Sequence, residues 1–572
     1  MNDWIIKEFD KVAEKEIIAQ GKGKLLARLL AQRNVTPEET DNFLTTDYKK
    51  LTSPFKLNDM DKAVDIFVDI VNKNGTVAIS ADYDADGITS ATIISELCEN
   101  FGLKCKIFLP SRMEHGYGLN PRTIQGLKDM LKEPPDLLFV LDCGMNNKDE
   151  IEIIRNEIGV KKIIVIDHHL GEGSGISTNA DALITWHLSE GHSEMCTAGE
   201  AFQFVRGVKT KLPNLNPIEF ITYAAIGTVA DMSPIVENNR IIVKNGLTSY
   251  AINHVAAAGL SALMRNSRIF APTLTQEDIS FKLAPKINAT GRMYHPDIAL
   301  GLLKEKDNTT ADKIVKHVAS CNDERKALQK KIEKEAAFMV KENEPTHGVF
   351  VADKEWHIGV VGIVASRLVE EFNKPAIVIG YHDGKWKGSG RSIPGINVKH
   401  VLDSCSEMFV AYGGHAAAVG MQVKEEYIDK AAAIFDKACT EYYKEHKVET
   451  PKKLYDANLG VKLINMDIAK ALRETLYPYC KDLNQEPIFK VSDVTVTNAE
   501  TKKGPGWTIF KFWISKDGYD VEYPFKIFTE KFGNELKDQV VDVYFSFPQL
   551  YELKPNMYSE FELSAIDVIK KD

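Results

Sequence analysis

The sequence predicts an α/β protein in several domains: a parallel-sheet domain, a long connecting helix, a second α/β domain and a C-terminal β-barrel. Between about residues 75 and 187, short apolar β-rich runs alternate with helix-length segments, the pattern of a parallel sheet covered on both faces. Residues 311–343 are one charged helical pattern without a breaker. From about residue 451 the composition changes: 19 of the chain's 51 aromatics fall in this last fifth, in alternating segments suited to half-buried strands. At 572 residues the chain is too long for one core, which agrees with this division.

Residues 1–50 read as an amphipathic helical segment, with NVTPEETDNFL (34–44) resembling a Thr-capped, Pro-started helix. Residues 51–310 are predicted as the parallel-sheet domain, its strands being TVAIS (76–80), KCKIFLP (104–110), DLLFVLD (136–142), KKIIVID (161–167) and ALITW (182–186). Helices are expected over 199–231 and 248–265. In the connecting helix, Ile314, Val315, Val318, Leu328, Ile332, Ala336 and Met339 fall near helical spacing. Residues 344–450 form the second α/β domain, with strand GVFVADK, helix VVGIVASRLVEEF and strand PAIVIG followed by glycine-rich turns. Residues 451–572 form the barrel, where WTIFKFWI (507–514) and VVDVYFSF (540–547) alternate.

With 44% hydrophobic and 27% charged residues, this is an ordinary globular composition. The start, MNDWIIKEFDKVAEKE, lacks the basic head and apolar core of a signal peptide, and no apolar run approaches a membrane span. A cytoplasmic location without membrane attachment is expected. The eight cysteines are scattered without a CxxC pair, which argues against a zinc ribbon and a disulfide framework. A net charge of −10 is the wrong sign for coating nucleic acid by bulk attraction, so affinity for a polyanion must come from a small, specific site.

Residues 82–87, DYDADG, place three aspartates on alternate positions. A calcium loop of this form needs a Glu at its twelfth position and a helix on each side; the twelfth residue is Ile93, and a strand precedes the loop. Calcium is therefore excluded, and the row lies instead at the carboxyl end of a strand, where open α/β sheets bind ligands. Two more strands run out into acid, one at Asp142 and one at Asp167, His168 and His169. Any one of these aspartates alone reads best as a cap or turn residue. Together, following three separate strands, they would repel one another unless a cation neutralised them. Carboxylates with one or two imidazoles suit manganese and disfavour a closed zinc site. Asp231, closing the apolar helix of AAIGTVADMSP, is the candidate from the far side of the cleft.

These pieces make the sequence similar to the DHH phosphoesterases, and within them to exonucleases specific for single-stranded DNA. The matching motifs are DYDADG, LDCG (141–144), the DHH of 167–169, GTVADMSP, PSRMEHGYGLNPR (110–122), PKINATGR (285–292), GSGRS (388–392) and GGH (413–415). One departure is visible: many members carry a His where this chain has Ser80. The resemblance implies a DHH catalytic domain, a DHH-associated substrate-binding domain and an OB-like tail. It implies a pair of Mn2+ ions, with Mg2+ as the alternative, held by Asp84, Asp86, Asp142, His168 and Asp231, with Asp86 or Asp142 bridging. Asp82 and His169 stand beside them as further ligands or as groups that orient the nucleophile, and His169 could polarise the scissile phosphate. Arg112, Ser389 and Arg391 are expected to hold a terminal 5′ phosphate, with Arg292 and His415 on the backbone and the glycines of GGH, Gly413 and Gly414, exposing N–H groups to phosphate. The implied activity is 5′ to 3′ digestion of single-stranded DNA to 5′ mononucleotides in repair and recombination, by a monomer working with a single-strand-binding protein and a helicase. The alternatives are a phosphodiesterase for short oligonucleotides or cyclic dinucleotides, and a non-catalytic strand-binding scaffold.

Overall fold

The computed structural model describes residues 4–571 apart from 117, 170–175, 192–193, 255–256, 271–273, 447, 449–451, 481–482, 505–506, 530 and 548–562. The first domain is built on a five-stranded parallel sheet of β1 (Thr76–Ala81), β2 (Lys104–Phe108), β3 (Leu137–Leu141), β4 (Lys162–Ile166) and β5 (Ala182–Ile184). Their order is β2-β1-β3-β4-β5. The register sets Ala81 beside Leu141 and Leu141 beside Ile166, so three central strands end level with one another. Their continuous apolar runs are what a strand buried on both faces requires. One face packs under α1 (Ala85–Asn100), α2 (Thr197–Lys211) and α3 (Ile218–Ala230), and the other over a smaller cluster around Leu138, Val140 and Val165. The expected helix over 199–231 is thus two helices, broken at 212–217 by a segment carrying Pro213 and Pro217.

After α4 (Ala284–Met293), the helix α5 runs from Asn308 to Asn343, its first turn capped by Asp307. Its early apolar residues Ala311, Val315 and Val318 belong to the first domain's core, while Ile332, Ala336 and Val340 belong to the core of the second domain. One helix therefore carries both cores and fixes their spacing.

The second domain is a five-stranded mixed sheet ordered β9-β10-β8-β7-β6, made of β6 (Val349–Ala352), β7 (Ala376–His382), β8 (Lys385–Arg391), β9 (Phe409–His415) and β10 (Ala418–Val423). Helix α6 (Val361–Phe372) covers the face turned toward the first domain. The glycine-rich turns expected after PAIVIG are strands: GSGR lies on β8 and GGH on β9. β8 is central, paired with β7 and β10, so its backbone N–H groups serve the ladder and are not offered to a phosphate.

The C-terminal region is a seven-stranded sheet in which β11 (Phe489–Gly504) pairs both β12 (Trp507–Lys516) and β14 (Val540–Ser546). With β13 (Phe525–Phe528) and β15 (Leu563–Lys570) the pairing runs in a closed circuit, β11-β14-β15-β13-β12-β11. Phe510 and Phe512 are fully buried in its core, Trp513 is half-buried, and the side chain of Trp507 lies outside the described residues. Residues of the N-terminal helices, Ile17, Ala27, Leu29, Leu30 and Val35, complete that same core, so the first segment of the chain packs with the last rather than standing alone. Trp4 stacks on Tyr544 at 4.4 Å and donates to Asp567 at 3.0 Å, and Ile5–Ile6 pairs with Leu454–Tyr455. Arg240, fully buried, donates to the carbonyl oxygens of Leu476 (2.7 Å) and Thr475 (2.5 Å), the C-terminal carbonyls of α7 (Met466–Leu476), and so ties this region to the first domain. Among the described residues no helix is long and apolar enough to cross a membrane.

Candidate metal centre and phosphate pocket

The level strand ends deliver the acids to one rim. DYDADG turns directly from β1 into α1, with Asp84 as the helix cap: its Oδ1 accepts from the N–H groups of Asp86 (2.9 Å) and Gly87 (3.1 Å). Gly87 is required there, because a Cβ would lie 2.3 Å from the Asp82 carbonyl oxygen. The turn is held from outside by Asn288, whose Oδ1 accepts from the Ala85 N–H at 2.7 Å.

Two sets of ligand atoms each gather within 4.8 Å: Asp82, Asp84 and Asp142; and Asp142, His168 and His169. Asp142 is common to both, and is the one member facing both positions. Its Oδ1 stands 3.4 Å from His168 Nε2 and 3.7 Å from His169 Nδ1, and accepts from the Thr197 hydroxyl at 2.9 Å. His168 Nε2 also faces Asp86 Oδ2 at 3.7 Å and Asp231 Oδ1 at 3.9 Å. Buried and without an aligned hydrogen bond, that nitrogen converges with three carboxylates, and Asp82 Oδ1 is likewise buried without a partner. One orphaned ligand atom in each set is what a cation at each position would satisfy, and the residues present fit a pair of divalent ions.

Of the expected ligands, Asp84, Asp142 and His168 fall within these sets, and Asp82 and His169 join them. Asp86 is placed differently. Both its oxygens accept backbone N–H groups at the start of α2, from Thr197 (2.8 Å) and Ala198 (2.9 Å), which anchors the helix beside the cluster. Of Asp86 and Asp142, only Asp142 belongs to both sets. Asp231 follows α3 directly, and its Oδ2 accepts from the Ser233 hydroxyl at 2.6 Å. Ser80 is buried near the end of β1.

Contacts that the sequence did not disclose orient the cluster. Asp167 accepts from the Met145 N–H (2.9 Å) and from the His169 N–H (3.1 Å), and its Oδ1 lies 3.0 Å from His169 Nδ1. Asp167 Oδ1 accepts from His169 Nδ1–H, which fixes the orientation of the ring and leaves Nε2 as its other face. The His187 ring meets the His168 carbonyl at 2.8 Å. Asp167 and Asn288 lay inside motifs already singled out, while Thr197 carried only the weak signal of a threonine at a helix start.

The electrostatics follow from crowding in a dry rim. Burial, then the charges of Asp84 and Asp142, push the Asp82 carboxyl well above its ordinary range; burial, then Asp142 and Asp231, does the same to Asp86. Asp84 is pushed up to about 7, by burial first and Asp142 next. Burial would raise Asp142 too, but the two imidazoles and the Thr197 hydroxyl hold it down to about 2. Burial opposes the charge on His168, yet Asp142, Asp86 and Asp231 raise it to about 11; burial opposes His169 as well, but Asp167 and Asp142 raise it to about 9.

The phosphate-pocket candidates face this rim across the cleft. Ser389 and Arg391 point from β8 toward the first domain, close beside the start of α6, where a Cβ on Gly362 would lie 3.2 Å from Ser389 Oγ and 3.3 Å from Arg391 Nη2. Arg112 approaches from the first domain over the Tyr83 ring at 5.7 Å, near enough to Arg391 for the two cations to repel. Arg292, at the end of α4, donates to the Gly359 carbonyl at 3.3 Å; burial, then Arg112, lowers its guanidinium to about 10. Like charges held together without a salt bridge to a carboxylate among the described residues prepare a site for an anion. Gly413, Gly414 and His415 lie on the edge strand β9, opposite Gly420, Val419 and Ala418. The exposed His415 stands at the strand's end.

Residues 76–228 match the DHH family, N-terminal domain, and residues 343–441 the DHHA1 domain. The chain is 31% identical over 411 residues to the single-stranded-DNA-specific exonuclease RecJ of Bacillus subtilis, covering 70% of this chain and 50% of that protein. It thus spans about half the length of that relative. It is 28% identical over 500 residues to the protein of the same description from Salmonella typhimurium, covering 82% of this chain and 83% of that one. The fold resembles the crystal structure of RecJ in complex with Mn2+ from Thermus thermophilus, with a TM-score of 0.79, 23% identity, and coverage of 100% of this chain and 80% of that one.

Proposed function

We propose that this chain, which belongs to the DHH family through residues 76–228 and carries a DHHA1 domain at 343–441, is a metal-dependent exonuclease specific for single-stranded DNA, acting from the 5′ end. The observation that carries the reading is the pair of ligand sets sharing Asp142 on the rim of the parallel sheet, faced by Arg112, Ser389 and Arg391. The activity attached to the two RecJ relatives supports it.

Asp82, Asp84, Asp142, His168 and His169 would hold two ions, with Asp86 and Asp231 completing the shell. The oxygen-rich donor set with two imidazoles favours Mn2+, with Mg2+ as the alternative, and Mn2+ is the ion in the Thermus thermophilus structure. When bound, such a pair lowers the pKa of a water and draws charge from the attacking and leaving oxygens. The chain's own residues do the rest. Arg112, Ser389 and Arg391 hold the terminal phosphate, which counts the cut from the 5′ end. Arg292 faces the scissile phosphate, and Asp167 keeps the His169 ring turned toward the ions. A cleft between a sheet rim and a covering domain leaves room for one strand. A single-strand-binding protein and a helicase are the partners this reading implies, in cytoplasmic repair and recombination.

The test is a time course on single strands labelled at either end, with an RNA strand and a cyclic dinucleotide as further substrates, in Mn2+. Early release of 5′ label as mononucleotide is expected. Early release of only the 3′ label, or hydrolysis of the cyclic dinucleotide alone, refutes the reading.

A further inference from the structure

We propose that the cleft holds a second phosphate subsite, built around Lys387, that admits strands whose 5′ end carries a diphosphate linkage. The inference rests on Arg112, Ser389 and Arg391 being the terminal phosphate pocket.

The cavity that contains Ser389 has a volume of about 780 Å³. That is the size of a site for a whole small ligand, far more than one phosphate needs. Its composition is graded. Lys387 and Ser389 share one face of β8, two residues apart, which separates them by roughly 7 Å along the strand. The register sets Gln422 opposite Lys387 and Gly420 opposite Ser389, with Gly413 beyond Gly420 on β9. A Cβ at Gly413 or at Gly420 would meet nothing within 4 Å, so the floor between the two strands is bare and open. Lys387 is half-buried and lines the cavity, and its ammonium makes no ion pair or hydrogen bond among the described residues. A half-buried ammonium without an acidic partner beside a pocket of guanidinium groups adds to an anionic site. Beside it, Ile358 and Ala411 supply apolar surface to the cavity wall.

A single terminal phosphate engages the Ser389 and Arg391 end and leaves Lys387 and that wall unused. A second phosphoryl group on the first reaches Lys387, and a nucleoside attached to it meets the wall. The chemistry shared by the two sources, a 5′ triphosphate and a 5′ adenylylated end, is this second phosphoryl group. The reaction at the metal centre is unchanged: water adds to the phosphorus between the first two nucleotides, the bond from phosphorus to the 3′ oxygen breaks, and that oxygen takes a proton. The first product therefore keeps its diphosphate linkage intact, and the remaining strand ends in an ordinary 5′ phosphate.

Single strands of one sequence bearing a 5′ monophosphate, a 5′ triphosphate or a 5′ adenylyl group would be digested by the full chain and by Lys387→Met and Lys387→Arg, with mass spectrometry of the first product. The expected first products are the nucleoside triphosphate and the adenylylated mononucleotide. Lys387→Met lowers the rate on these ends relative to the monophosphate by roughly tenfold, as loss of a charge-assisted contact does, and Lys387→Arg restores it. Acceptance of the triphosphate alone supports a subsite limited to phosphate, and acceptance of both supports the nucleoside wall as well. Digestion of the monophosphate strand with refusal of both other ends overturns the inference, as does a Lys387→Met variant that slows all three alike. Inertness toward the monophosphate strand would instead fail the nuclease reading.

Discussion

Asp142 and His168 meet with Oδ1 and Nε2 3.4 Å apart at the ends of two adjacent strands, and the same Asp142 belongs to both sets of ligand atoms. One carboxylate thus joins the two halves of the centre. Replacing it with Ala removes a ligand from both. Asp142→Ala should lose nuclease activity by more than the roughly 10- to 100-fold that loss of an outer partner costs, while circular dichroism stays that of the folded protein. Activity retained in Mn2+ would favour a strand-binding scaffold.

Asp167 acts through another residue. Asp167→Asn keeps the shape but weakens the acceptor that holds His169 Nδ1, so Mn2+ affinity should fall by roughly 10- to 100-fold, measured by calorimetry. An unchanged affinity with lost activity would assign Asp167 to orientation of His169 toward substrate rather than toward metal.

Metal binding should release protons. Asp84 holds its proton up to about pH 7, and His168 and His169 hold theirs to about 11 and 9. A bound ion needs all three deprotonated, so affinity rises with pH through about 7 for Asp84 and on toward 9 and 11 for the two imidazoles. The metal-free stability runs the other way. The raised carboxyl of Asp84 contributes stability that is complete below its unfolded value and is lost as pH rises through about 7; the raised imidazoles contribute below pH 6.5 and lose it through 9 to 11. Melting curves should therefore show a larger rise in Tm on adding Mn2+ at about pH 8 than at about pH 6, abolished by a chelator.

Arg391 sits beside Ser389 with no acidic partner among the described residues. Arg391→Gln should slow digestion of 5′ phosphorylated strands by roughly 10- to 150-fold, the worth of a charge-assisted hydrogen bond of about 1.5 to 3 kcal/mol. Strands with a 5′ hydroxyl should lose much less. The ratio of the two rates is the readout.

Much of this was legible in the sequence because buried parallel strands are written as continuous apolar runs. An acid at the end of such a run is fixed in space once the strands are level, as Asp142 and Asp167 are. The second sheet was less legible. GSGR and GGH have no apolar periodicity, since the floor of the cleft there is bare, and only the partner strands β7 and β10 reveal them as strands. Asp167 reaches across 22 residues of sequence to Met145, Thr197 across 55 to Asp142 and Asn288 across 203 to Ala85, spans that local pattern does not encode. The same holds for Ile17 and Leu30, whose amphipathic helices show an apolar face without showing which core receives it.

That last pairing bears on how the molecule is made. Trp4 finds Asp567, and the strand at Ile5 finds Leu454, only after most of the chain has been synthesised. At roughly 5 to 20 residues per second, the helices that carry Ile17 and Leu30 leave the ribosome and wait on the order of 20 to 90 s with their greasy side uncovered. This earlier stretch of the chain is completed only by the later one, and for that interval its protection must come from something other than its own fold.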